Sequence, residues 1–188
     1  MSLTITHAFV PVTAAVAIAR RAPPRTLMAA AVLAAMAPDL DGFMRPLFGV
    51  ARDSIYSHRG FSHSLFIAIV FGALAAACHR HLRVRPLTAA VVVAASMASH
   101  GLLDMMTNSG KPVAYLWPLT SLRMFADWRP FPGSPHASSL LREVASRIGP
   151  EIVRVILPLF VAAIVFRGCV MAFRKIARRF FDHHRPLD

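Results

Sequence analysis

Five apolar runs, separated by short polar segments, set the pattern of this chain. The first runs from about Ala8 to Ala19 and on a wider reading starts at Leu3. The second, Thr26 to Ala37, is rich in alanine; the third is Ser64 to Cys78, and the fourth Pro86 to about Met106. The fifth, Ile152 to Phe173, is interrupted by Pro158 and Arg167. A bilayer's hydrocarbon core of ~30 Å takes ~20 helical residues to cross. The first three runs are short by that measure, so they extend into their polar flanks, tilt, or thin the bilayer. Their small residues allow the close helix approach that transmembrane packing prefers. Pro23-Pro24 divides the first two helices, and Pro86 opens the fourth, where proline is tolerated. The pattern predicts an all-α polytopic membrane bundle of about five helices. Residues 1–135 form its membrane-embedded domain, and residues 136–188 contribute a last helix with a basic tail.

Composition agrees with a bilayer environment. Of 188 residues, 56% are hydrophobic and 16% charged, against about 25% charged in typical soluble domains. The net charge of +12 raises the question of nucleic acid. Its placement in short segments between apolar runs, without interleaved aromatics, argues against direct nucleic-acid binding. Arg20, Arg21 and Arg25 follow the first run rather than precede it, which is the wrong polarity for a cleaved signal. The arginine-rich turns at 20–25 and 79–85 and the tail from Arg174 to Arg185 fall on one side of a five-helix topology, and mark it as cytoplasmic. Cys78 and Cys169 have no metal or disulfide spacing and are expected to be inert packing residues.

That topology, drawn from arginines alone, places a set of acids and imidazoles at one depth near the outer face: His7, Asp39, Asp41, His58, His63, His100 and Asp104. Imidazole near hydrocarbon is costly unless it is paired, hydrogen-bonded or metal-bound. His100 and Asp104 are spaced i, i+4 and share a helix face. That spacing suits a shared metal or a plain His–Asp hydrogen bond. Pro38-Asp39-Leu40-Asp41-Gly42 puts two carboxylates on what reads as a tight turn after the second helix. His58 and His63 bracket Gly60, with Ser62 as the candidate cap of the third helix. Arg59 either binds an anionic substrate group or pairs with Asp39 or Asp41. The aromatic stretch from Leu116 to Phe131 either anchors the chain at the membrane interface or roofs the site. His79, His81, His136, His183 and His184 fall on the other face or in solvated segments.

Several of these pieces, in order, resemble the YdjM/YbcI-like family of bacterial inner-membrane proteins, described as membrane-bound metal-dependent hydrolases and in part as LexA-binding. They are Thr6-His7, Pro38-Asp39-Leu40-Asp41, His58-Arg59-Gly60-Phe61-Ser62-His63-Ser64, His100-Gly101-Leu102-Leu103-Asp104 with Thr107 and Gly110, and Leu116-Trp117-Pro118. They cover roughly residues 6–130, and the resemblance implies metal dependence and hydrolysis.

The sequence thus leads to a metal-dependent hydrolase in the bacterial inner membrane with its site towards the outer face. The seven acids and imidazoles would hold one or two divalent ions, zinc first, with Mn, Fe or Mg as alternatives. Asp41 or Asp104 would serve as general base, and Arg59 would stabilise developing negative charge. A site at membrane depth points to a lipid or lipid-linked ester, such as a phosphoester. Two rival classes stand beside this one: a transporter relaying protons or metal through intramembrane His and Asp, and a non-catalytic regulator whose basic tail binds a cytosolic partner or anionic lipid.

Overall fold

The computed structural model describes residues 4–19, 21–108, 110–131, 153 and 156–183, the side chains of 4, 5 and 174–183 excepted. Long α-helices form at all five apolar runs: α1 (Thr4–Ile18), α2 (Arg25–Met36), α4 (Leu65–Ala77), α6 (Pro86–Met105) and α7 (Leu157–His183). Two short helices, α3 (Met44–Phe48) and α5 (His79–Leu82), complete the set of α-helices among the described residues. β-type pairing among them is confined to isolated bridges, Thr107 with Phe131 and Val113 with Met124.

Two helical stretches are long and apolar enough to cross a membrane, Arg25–Phe48 and Pro86–Met105; α1, α4 and the apolar part of α7 are shorter. The second run is longer than its hydrophobic pattern predicts. A 3₁₀ turn, Ala37–Phe43, continues α2 directly into α3, so the two aspartates sit inside a helical segment rather than on a loop after it. Proline is tolerated near the start of a helical turn because the N–H it lacks has no partner there anyway. Pro38 takes that place here. Pro158 likewise lies in the first turn of α7, so it opens that helix instead of breaking it. Ser64, not Ser62, caps α4: its hydroxyl accepts from the Ile67 amide at 3.3 Å. A cap of this kind is worth about 1 kcal/mol.

The interior is built from small side chains. Ala34, Ala68, Ala75, Ala89, Val93 and Met97 form the buried apolar cluster between α2, α4 and α6. Gly72 of α4 lies so close to α6 that a Cβ there would meet the Ala90 carbonyl and the Ala94 methyl at 2.8 Å. Large apolar side chains take the opposite position: Phe66, Ile69, Phe71, Leu74, Leu87, Val91 and Phe166 face outward. Small-in, large-out is the arrangement expected where the surrounding medium is lipid, because the driving force between helices is then close packing. α1 packs on α2 and α7, and α2 on α6. Arg167 of α7 donates to the Val16 carbonyl at the end of α1 at 3.0 Å, so this charged residue ties two helices without interrupting its own. Cys78 and Cys169 are both exposed, contrary to the packing role expected of them.

Part of the predicted organisation falls outside the described residues. The expected domain boundary near 135, His136 and His184 lie there, as do Arg20 and Arg185. The basic tail is helical through His183.

Candidate metal centre

Four elements bring the acids and imidazoles together. The 3₁₀ turn after α2 presents Asp39 and Asp41, and a second 3₁₀ turn, Phe61–His63, presents His63. The last two turns of α6 supply His100 and Asp104, and the start of α1 supplies His7. One ligand atom from each of Asp39, His63, His100 and Asp104 lies within 4.8 Å of the others. Nε2 of His100 is 3.4 Å from Asp39 Oδ1 and 3.8 Å from Asp104 Oδ2; Nε2 of His63 is 3.9 Å and 3.5 Å from the same two oxygens. The two Nε2 atoms are buried and make no hydrogen bond.

The far sides of these rings are fixed. His100 Nδ1 donates to the Ala35 carbonyl at 2.7 Å. That carbonyl belongs to the last turn of α2, where helix carbonyls lack intrahelical partners. His63 Nδ1 lies 3.1 Å from Asp41 Oδ2. With Nδ1 so committed on each ring, both Nε2 atoms face into the cluster. Metal-binding imidazoles are typically oriented in this way by a carboxylate or carbonyl behind the ring.

Asp41 is saturated. Besides His63 it takes the His58 ring at 2.7 Å, the Arg59 amide at 3.1 Å and the Ser62 hydroxyl. Such a carboxylate is an organiser of neighbouring groups, and it has little capacity left to act as the general base the sequence suggested. Asp104 is likewise engaged, with Arg59 Nε 2.9 Å from its Oδ2 and His7 Nε2 3.7 Å from its Oδ1. His7 stacks on His100 with ring centroids 3.7 Å apart. Burial by itself would lower the pKa of His63, but the carboxylates of Asp104 and Asp41 override it and hold the ring up at about 9. The surroundings thus favour positive charge at this point.

Arg59 occupies a different place from the one its sequence position suggested. Its side chain is fully buried and pairs with Asp104 rather than Asp39 or Asp41. The guanidinium also donates to the Lys111 carbonyl at 2.7 Å and lies against Thr107. Gly110, with φ of +85°, passes directly over it; a Cβ there would meet the guanidinium at 2.7 Å. The segment after α6 therefore roofs the centre. Val113 and Ala114 are buried, Ala114 N donates to the Arg59 carbonyl, and the Tyr115 carbonyl accepts from Leu65 N. Trp117 packs edge-on to Phe61 and Phe66, while Leu119 and Trp128 stay exposed and suit interfacial anchoring.

Gly60 is required at its position. A Cβ there would collide with the backbone carbonyl of Ile55 and meet that of Ser57 at 2.6 Å. Two groups important to the site escape a reading of the sequence. Arg123 clamps the loop before His63 by donating to the Ser54 and His58 carbonyls at 2.7 and 3.2 Å. The Ala35 carbonyl offers no side-chain signal at all.

The fold and this cluster together define a helical membrane protein with a buried His/Asp centre able to hold a cation. The chain matches the family described as "YdjM inner membrane protein" over residues 1–176, and it belongs to that family. It is 36% identical over 140 residues to "Inner membrane protein YbcI" of Escherichia coli (strain K12), covering 74% of this chain and 80% of that protein. No solved structure matches it.

Proposed function

We propose that this protein is a metal-dependent hydrolase acting at the membrane on a lipid or lipid-linked phosphoester. One observation carries the reading. His63 and His100 aim buried Nε2 atoms at the carboxylates of Asp39 and Asp104, and each ring is held from behind by Asp41 or a backbone carbonyl. Two imidazoles and two carboxylates suit zinc, with manganese or iron as alternatives. A divalent ion held there supplies Lewis acidity and activates a water at neutral pH.

The remaining residues divide the work around it. Arg59 neutralises and orients Asp104 from a buried position, so it acts on the centre through that carboxylate. Asp41 fixes both His63 and His58. The His58 ring is partly exposed at its edge, its Nδ1 is held by Asp41, and its Nε2 is buried and makes no hydrogen bond. We assign it the transfer of a proton at Nε2. A base oriented by a carboxylate on its far nitrogen is a recurrent catalytic arrangement. A location near the end of one membrane-length stretch, Pro86–Met105, and in the second half of the other, Arg25–Phe48, favours a substrate whose reacting group lies near headgroup level.

The test is metal content of protein purified without chelator, together with hydrolysis of a panel of phospholipids and lipid-linked phosphoesters. We expect a single divalent ion per chain, absent from His63→Ala and His100→Ala. His58→Gln should keep the ion and lose turnover. If the two alanine variants retain metal, the centre is misassigned; if the wild type is loaded but hydrolyses nothing in the panel, the hydrolase reading fails while the centre stands.

A further inference from the structure

At the opposite end of α4 and α6 the chain turns through His79–Pro86. A shallow, open depression of about 450 Å³ lies there, lined by His79, Arg80, Arg83, Val84, Arg85 and Pro86. No acidic side chain among the described residues lines it, and the sequence holds no aspartate or glutamate between Asp53 and Asp104. Arg83 sits at φ of 58°, a conformation disfavoured for residues other than glycine, at the point where the backbone folds round this rim. A second cavity, of about 350 Å³, runs between α2, α4 and α6. Its walls are apolar, with Leu33, Phe71, Leu74, Cys78 and Leu82 among them. The two meet along α5: Cys78 and Leu82 line the apolar groove, His79 and Arg83 the basic cavity.

We propose that this pair of cavities is a binding site for one anionic phospholipid. Its phosphate would lie among Arg80, Arg83, Arg85 and His79, and an acyl chain would occupy the groove beside Phe71 and Leu74. Charge complementarity selects the headgroup, since the described lining carries arginines and a histidine with no acid among them, and basic pockets between membrane helices commonly take anionic headgroups. The groove selects a lipid over a free anion, because it offers apolar walls next to that cavity in a protein of an inner-membrane family. The site is separate from the His/Asp centre, and neither depends on the other.

The experiment uses full-length protein in detergent, incubated with phosphatidylglycerol, phosphatidylcholine or inorganic phosphate and read by native mass spectrometry. Phosphatidylglycerol should be retained about tenfold over phosphatidylcholine, and the preference should shrink as salt is raised. Combined Arg80→Gln, Arg83→Gln and Arg85→Gln should abolish the preference with helicity unchanged by circular dichroism. Leu74→Trp, which fills the groove, should weaken retention of both lipids. Equal retention of the two lipids, a salt-independent preference, or a preference that survives the triple change would overturn the proposal. Inorganic phosphate that displaces the lipid, or Leu74→Trp retaining lipid as the wild type does, would show that an anion alone is recognised, and would overturn the lipid assignment.

Discussion

The two ends of the α4–α6 pair both carry histidine and arginine, yet they have opposite characters. At one end His63, His100 and Arg59 are buried, and every positive or proton-bearing group meets a carboxylate or a backbone carbonyl. At the other, Arg80, Arg83 and Arg85 are exposed, no acid among the described residues lines their cavity, and His79 Nδ1 meets the Val84 carbonyl. The difference lies in where the chain has placed its few acids. Residue type alone does not separate a candidate ligand from a surface charge; the carboxylates opposite it do. One end is a closed network able to hold a cation, and the other an open basic surface.

Four changes test this contrast, beginning with the largest expected effect. Arg59→Ala leaves Asp104 buried opposite no guanidinium and should destabilise the protein by about 3–5 kcal/mol in detergent unfolding experiments. A loss no larger than that of a surface arginine would mean the network is not closed. Gly60→Ala forces a Cβ into two carbonyls, and overpacking of that kind typically costs about 1–3 kcal/mol. The same unfolding assay, with the yield of folded protein, would register it. Asp41→Asn keeps the shape but weakens the hold on His63 and His58, and should lower divalent-ion affinity about 10–100-fold in a competition titration. His81→Ala, at the open end, should change stability by less than about 0.5 kcal/mol and leave metal content unchanged. A metal loss there would erase the distinction between the two ends.

Much of this contrast is legible before any coordinates. Arginine placement sorts the histidines into two groups, and the structure gathers His7, His58, His63 and His100 with Asp39, Asp41 and Asp104. The i, i+4 spacing of His100 and Asp104 is visible because a helix period fixes it. What escapes is decided by partners distant in sequence. The approach of Asp104 turns Arg59 inward, and a roof formed by residues 110–117 closes over it. Ser62 and Ser64 are equivalent as letters, and only the path of the chain toward Asp41 decides which one caps α4. The joining of α2 to α3 also escapes, because Pro38 and Gly42 read as turn residues while the 3₁₀ geometry accommodates both.

The bond from His100 to the Ala35 carbonyl has a consequence for variation in this chain. The ring's tautomer is set by a main-chain oxygen, which can only accept. Exchange of the side chain at 35 leaves that acceptor in place, so the protonation pattern of an imidazole on α6 is written in the backbone of another helix, at a residue with no titratable group of its own.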